Sequence, residues 1–423
     1  MKKYLKKIPQ ELQGLINKVQ DIAAKRNTRA YLVGGLVRDL ILGVKNLDLD
    51  IVIEGDGIKI AQDFADSLAV KITVHRQFGT ATVFVKPGLK VDFSSSRKEY
   101  YPQPGHLPLV EAGSLRDDLF RRDFTVNAMA IGLKDGRLVD YFGGLDDLRH
   151  EVIRVLHPLS FIDDPTRILR AVRFEQRYDF KIEPKSLELL KEASRLGLLE
   201  RIHPHRTRDD LILVLKEKNP LKEIKRIEKI AGFDFILPHF KVSPKTFLFL
   251  KALEKEINYF HRNYTERRPL DTWVIYLIGL LEVLDAKAIK KICVKFGLRR
   301  GVGIRLLSYK RSRSRHIIAE LSKAGIKPAR IFTLLEPLSY ETILALRASC
   351  ANPVFKRNIA DFLDIYNGMR ILVSGNDLAG LGVLPGPRYQ KIFTQVLKAK
   401  LNGQVKTKDE ELALIKQLLR KRS

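Results

Sequence analysis

Apolar spacing changes near residue 160 of this chain, and the change constrains what it can fold into. Before that point short apolar runs alternate with glycine turns, in RAYLVGG, LDLDIVIEG, ATVFVKPG, LKVDFSS and RLVDYFGG. Such runs predict strands, with helices such as 58–67 between them. Beyond it, DPTRILRAVRFEQRY, KSLELLKEASRLG and TRDDLILVLKE place apolar residues three and four apart, with Gly or Pro between segments. That spacing predicts helices alone. The expected fold class is α+β, a mixed head followed by an all-helical remainder. Turn residues at Asn219-Pro220 and Ser374-Gly375 break the helical spacing and suggest boundaries there.

Two terms of the composition narrow the function. The 423 residues are 45% hydrophobic and carry a formal net charge of +27, so the chain can bury substantial cores and favours a polyanionic partner. Nucleic acid is the first candidate. A membrane is not expected, because the longest apolar run, 273–281, falls well short of the roughly 20 residues that span a bilayer. The opening MKKYLKKIPQELQG is basic without a following apolar stretch, so no secretory signal is expected and a cytoplasmic protein is. Cys293 and Cys350 lie far apart with no CxxC spacing and suggest neither a disulfide framework nor a zinc site.

The chemistry gathers in residues 31–53, YLVGGLVRDLILGVKNLDLDIVI. Tyr31 to Val33 reads as a strand, Gly34-Gly35 as a tight turn and 36–42 as a short helix. Glycines at a strand-to-helix turn let backbone N–H groups approach a phosphate, and Arg38 adds a fork of donors. Neither the dinucleotide nor the P-loop pattern is present. On a strand, Asp48 and Asp50 would share one face while Leu47, Leu49 and Ile51 face the core. Two converging carboxylates suit Mg²⁺ bound together with substrate phosphates; an isolated DxD is otherwise a polar strand edge. Asp92, in LKVDF, offers a third carboxylate that completes the metal site, takes a proton from an attacking hydroxyl, or merely ends a strand.

LVGGLVRD with LDLD, RRDFTVNAMAIGL (121–133), GGLDDLRHEVIR (143–154) and FIDDPTRILRAVRF (161–174) resemble, in order, the motifs of class II tRNA nucleotidyltransferases. That family includes CCA-adding, CC-adding and A-adding enzymes and the bacterial poly(A) polymerases. The resemblance implies a DNA polymerase beta-type nucleotidyltransferase head (28–155) after a basic helical segment (1–27), then a helical neck (156–219), body (220–373) and tail (374–423). It implies that Asp48 and Asp50 bind catalytic Mg²⁺, that Gly34, Gly35 and Arg38 bind nucleotide, and that Arg122, Asp123 and Asn127 serve the same site. Taken alone, Arg121-Arg122-Asp123 also reads as an ion-pair cluster at a helix start. Gly143-Gly144 and Asp146 resemble a hinge between head and neck.

Asp164, Arg167 and Arg170 are spaced by three, as on one helical face. Cytosine and adenine each carry an exocyclic amine beside a ring-nitrogen acceptor, whereas uracil and guanine present a carbonyl beside an N–H. A carboxylate and a guanidinium would therefore accept C and A and reject U and G. The same spacing suits a plain ion pair on a solvated face; the resemblance favours base selection, with Arg170 as a base or phosphate neighbour. Asp163 stands where the commoner family pattern has Glu.

Between Asp92 and Arg121 the Pro-, Gly- and Ser-rich stretch is long enough for a mobile loop, which in the family accompanies A addition. From Lys287 to Arg315 eleven Lys and Arg occur without an acid, as on an RNA backbone track. SGNDLAGLGVLPGPRYQKIF (374–393) resembles the family's tail motif and offers Asn376 or Asp377 as a helix start. No histidine is followed by Asp, so no HD phosphohydrolase domain is expected. The expected activity is template-free addition of C and A to a tRNA 3′ end, with CTP and ATP as substrates. Rivals are a partial enzyme, a poly(A) polymerase, and a silent RNA-binding protein on the same scaffold.

Overall fold

Leu12, Ile16, Val19 and Ala23 lie on one face of helix α1 (Gln10–Lys25) and all are buried. They dock the helix onto the strand that follows, β1 (Arg29–Val33), and onto a later helix, so this helix packs as part of the head. Next come α2 (Gly35–Leu42), β2 (Leu49–Glu54), α3 (Gly57–Leu68), β3 (Lys71–His75), β4 (Thr80–Lys86) and β5 (Leu89–Ser95). The computed structural model describes residues 4–5, 8–46, 48–313 and 315–420; the core position expected of Leu47 lies outside them.

The stretch expected as a loop is largely ordered into a hairpin, β6 (Arg97–Tyr100) with β7 (Leu109–Ala112), and a short helix, α4 (Leu115–Phe120). The longest irregular piece is 101–108, at the hairpin tip. The correction has a local cause: Ser114 and Asp117 form a capping box that starts α4, a signal the Pro and Gly content masks. Strands β8 (Met129–Gly132) and β9 (Leu138–Asp140) complete a seven-stranded sheet of order β3-β4-β5-β2-β1-β8-β9. Within it β2 and β5 form the parallel pair, and the other neighbours are antiparallel.

Alternation along the strands assigns the two faces. Leu32, Ile51 and Ile53 are buried together with Phe64 and Phe93, whose rings lie 5.5 Å apart under α3. Val33 and Val52 face the other way and pack with Leu115 and Leu119 of α4. Asp50 shares this second face, by its two-residue offset from Val52.

Short elements α5 (Gly144–Arg149), β10 (Val152–Ile153) and α6 (Ser160–Asp163) lead into helix α7 (Arg167–Tyr178). After β11 (Lys181–Ile182) come α8 (Pro184–Arg195), α9 (Leu198–Arg201), α10 (Pro204–Leu215) and α11 (Pro220–Ile230). Chain contacts separate Met1–Lys241 from Val242–Ser423. Pro220 opens α11, which packs on α7 within the first unit.

In the second unit α12 (Pro244–Asn263) and α13 (Thr272–Leu280) are followed by α14 (Ala286–Lys295), α15 (Arg300–Ser312), α16 (Arg315–Leu321), α17 (Pro328–Leu335) and α18 (Tyr340–Ser349). Buried Glu341 pairs with Arg268 at 2.8 Å and with Arg305 at 3.3 Å. Beyond α19 (Pro353–Asp361), the last helices are α20 (Gly375–Gly380), α21 (Pro387–Leu401) and α22 (Lys408–Arg420), which enclose a small core around Leu378, Val396 and Ile415. Ser374, not Asn376 or Asp377, caps α20: its hydroxyl accepts from the Asp377 N–H, and Asp377 bonds back in a capping box. Among the described residues no helix is long and apolar enough to cross a membrane.

Candidate active site

Gly34 turns β1 into α2 at φ +70°, a conformation that disfavours a side chain. A Cβ there would lie 2.9 Å from Arg122 Nη1 and 3.8 Å from Asp50 Oδ2, so the turn, a guanidinium and a carboxylate meet at one point. They line a cleft of about 750 Å³ that also takes in Gly35, Asp48 and Asp164.

The two expected carboxylates reach this cleft from different backbone settings. Asp50 stands in β2, but the ladder starts at Leu49, so Asp48 precedes the strand rather than lying on it. Asp48 is exposed, and its N–H donates to Asn46 Oδ1 at 2.8 Å. Burial lifts the Asp50 carboxyl to about 6; Arg122 opposes the shift, and Asp92 and Asp48 add to it. Asp92 is the partner of Asp50 in the parallel ladder. Its oxygens are taken, one by the Thr82 hydroxyl at 2.5 Å and the other by Lys90, and it does not line the cleft.

Among the described residues no group of three or more His, Cys, Asp or Glu forms a metal cage. Two cleft carboxylates, one half-buried and repelled by its neighbours, are hard oxygen donors short of positive charge. That donor set fits Mg²⁺, which is held by one or two carboxylates with substrate phosphates filling other positions.

Opposite the carboxylates stands a wall of arginines. Arg121 caps the C-terminal end of α4, so the Arg121-Arg122-Asp123 cluster follows a helix instead of starting one. Buried Asp118 receives Arg121 at 2.7 Å and Arg122 at 2.9 Å. Burial works to raise the Asp118 carboxyl, but the two guanidinium groups outweigh it and hold it below its usual range. Arg122 Nε is buried without a partner among the described residues, a donor a phosphate oxygen would satisfy. Arg38 is only 5% exposed: Nε donates to Asp39 at 2.9 Å, Nη1 to Asn127 Oδ1 at 2.5 Å, and its guanidinium lies 4.6 Å over the Tyr178 ring. Asn127 in turn donates to Asp123 Oδ1 at 2.8 Å. Burial would raise the Asp123 carboxyl, yet Arg170 and Asn127 bring it down to about 2.

At the far end of the cleft Asp164 is extended, between α6 and α7, rather than on a helical face with Arg167. Pro165 enforces this, since the residue before a proline is pushed out of the α region. Arg167 opens α7, and Arg170, Arg173 and Arg177 continue its cleft-lining side. Arg167 Nη2 donates to the Arg121 carbonyl at 2.7 Å, and Arg170 grips Asp123 through Nε at 3.0 Å and Nη2 at 2.5 Å. Asp164 itself pairs with Arg206 of α10 at 2.8 Å.

The structure thus gathers Gly34, Gly35, Arg38, Asp48, Asp50, Arg122, Asp123, Asn127, Asp164, Arg167 and Arg170 around one cleft and leaves Asp92 beside it. Sequence reasoning missed Asp118, Arg173, Arg177 and Arg206. Arg173 and Arg177 extend the spacing from Arg170 and were legible there; Arg206 has no local signal.

Residues 30–154 match the family model for the poly A polymerase head domain. The chain is 35% identical to an A-adding tRNA nucleotidyltransferase of Geobacter sulfurreducens over 96% of its length, and spans 47% of that relative. It is 31% identical to another A-adding tRNA nucleotidyltransferase, of Halalkalibacterium halodurans, over 94% of this chain and 90% of the relative. Among solved structures, the Thermotoga maritima CCA-adding enzyme complexed with tRNA superposes with a TM-score of 0.74 at 34% identity, covering 99% of this chain and 98% of that one.

Proposed function

The chain belongs to the class II tRNA nucleotidyltransferase and bacterial poly(A) polymerase family, and from that premise we propose that it adds C and A to the 3′ end of tRNA from CTP and ATP without a nucleic-acid template. One observation carries the reading: a half-buried carboxylate, a guanidinium with an unpaired buried nitrogen, and the Asp164 and Arg167 pair face a single cleft. Charge for a metal, donors for a triphosphate and a reader for a base then line the same cleft.

In this reading Asp48 and Asp50 would hold Mg²⁺, which when bound neutralises charge at the reacting phosphate and favours the ionised hydroxyl. The Gly34–Gly35 turn and Arg122 bind the triphosphate. Asp123, Asn127 and Asp118 keep Arg170, Arg38 and Arg122 in place before substrate arrives, so little reorganisation accompanies charge development. Asp164 accepts from the exocyclic amine and Arg167 donates to the ring nitrogen. The RNA 3′ oxygen bonds to the α-phosphorus, the bond to the bridging oxygen breaks, pyrophosphate leaves, and the hydroxyl proton passes to solvent.

A second reading, addition of A alone, is favoured by the names of the Geobacter and Halalkalibacterium relatives. Incorporation of labelled CTP and ATP into tRNA transcripts ending before CCA, after C and after CC separates the two. Extension of all three that stops at CCA supports the complete activity, and extension only after CC supports the partial one. An unbounded A tail on a non-tRNA control would reassign the chain to poly(A) synthesis.

A further inference from the structure

Arg206 joins two segments far apart in sequence. One guanidinium nitrogen lies 2.8 Å from Asp164 Oδ1, and the other donates to the Gly105 carbonyl at 2.8 Å. Asp164 Oδ1 also accepts the Thr166 N–H at 3.1 Å and the Thr166 hydroxyl at 2.7 Å. The two Thr166 hydrogen bonds fill the lone-pair sites of Oδ1, and the Arg206 guanidinium charge lies beside the same oxygen. Oδ2 has no partner among the described residues, so it is the oxygen left for a base.

Gly105 is the buried point of the otherwise exposed hairpin tip, 102–107. Its N–H donates to the Ile162 carbonyl at 3.2 Å, its φ is +72°, and a Cβ there would lie 2.3 Å from Ile202 Cγ2. The tip is therefore seated by two hydrogen bonds to the Gly105 backbone, one from its N–H to a carbonyl and one from the Arg206 side chain, and by a contact that only glycine allows. One of those bonds comes from the same arginine that holds Asp164.

We propose that Arg206 is a positioning residue for base selection: it fixes Asp164 so that Oδ2 alone faces the incoming base, and the seated tip at Gly105 fixes Arg206. The proposal rests on the reading of Asp164 as a base selector. Without Arg206 the carboxylate turns about its side-chain bonds and accepts donors from more than one direction, which weakens rejection of U and G. A merely structural arginine would instead lower use of all four nucleotides alike.

The test compares Arg206→Gln, Arg206→Lys, Gly105→Ala and Asp164→Ala with the parent, each checked for folding by thermal melting. Each protein is given ATP, CTP, GTP and UTP separately on tRNA transcripts lacking one, two or three terminal nucleotides. The expected result is a fall of about tenfold in the kcat/KM ratio of correct over incorrect nucleotide for Arg206→Gln, as for loss of one buried polar constraint. Arg206→Lys, which keeps a charge but not the fork, falls less. Gly105→Ala lowers the same ratio with every polar group of the cleft intact, and decides the matter if Arg206→Gln does not fold. If Asp164→Ala relaxes discrimination while Arg206→Gln and Gly105→Ala leave the ratio within about twofold of the parent, the role of Arg206 is overturned alone. If Asp164→Ala leaves the ratio unchanged, the base-selector reading falls and the proposal with it.

Discussion

In the cleft Arg122, Arg170 and Arg206 each lie on a carboxylate, and Arg167 on a backbone carbonyl. On α14, at the cap of α15 and on its first residue in the second unit, Lys287, Lys290, Lys291, Arg299 and Arg300 have no carboxylate partner among the described residues. The difference separates two kinds of cation. A guanidinium held by a buried acid keeps its direction and can discriminate between ligands, whereas a solvated lysine contributes charge that salt screens. Pairing also explains how the first unit tolerates buried Arg38 and the partly buried Arg121, Arg122 and Arg170, each of which meets a carboxylate, since an unpaired buried charge costs several kcal/mol.

The largest expected effect comes from a cleft carboxylate that forms no ion pair among the described residues. Asp50→Ala should lower kcat by about 10³-fold or more, because the proposed metal site is lost. RNA affinity, measured by filter binding at fixed salt, should stay close to that of the parent. Loss of both together would place RNA binding in the cleft and dissolve the contrast between the two regions.

Removing a holding acid comes next. Asp118→Asn leaves Arg121 and Arg122 without their shared carboxylate and should cost about 3 kcal/mol of stability in a denaturant melt, the scale of breaking a buried pair. An unchanged midpoint would show that these arginines do not depend on it for their place.

The contrast between the regions was partly visible in the sequence. Strands with period two and helices with period 3.6 separated the head from the remainder, and the Gly34-Gly35, Asp50 and Asp164 positions stood out by residue type and spacing. Asp118 did not, because an acid three or four residues before two arginines looks like any surface helix until burial is known. Arg206 was invisible for a different reason: its partners are 42 and 101 positions away, and only the packing of α10 against α7 and the hairpin tip unites them. The 94–120 stretch misled because Pro and Gly mark turns as readily as mobile loops.

Changes on the second region should be smaller and depend on salt. Replacing Lys290 and Lys291 by Ala should weaken tRNA binding by about fivefold and lower the slope of log affinity against log salt by about 2, if both meet phosphates. A slope unchanged by the double substitution would remove this face from the RNA interface.

Smallest is an effect on stability from an acid in the first unit that forms no ion pair among the described residues. Glu223 is 2% exposed with Oε2 unpaired among the described residues, and burial lifts its carboxyl to about 7. A folded value above the unfolded one of about 4.3 favours the folded state at low pH. That contribution is fully present below the unfolded value and is lost as pH rises through about 7. Glu223→Gln should therefore melt higher than the parent at pH 8 and close to it at pH 5. A gain of equal size at both pH values would contradict the assignment.

Salt dependence tests the contrast most directly. Between about 50 and 300 mM KCl, five partnerless cations should let the KM for tRNA rise by about a hundredfold or more. Over the same range the preference for ATP over GTP should hold within about twofold, because Asp164 and Arg167, which read the base, are held by Thr166, Arg206 and the Arg121 carbonyl. A preference that collapses in step with tRNA binding would show that the cleft arginines are no better held than the lysines of α14, and would contradict the account.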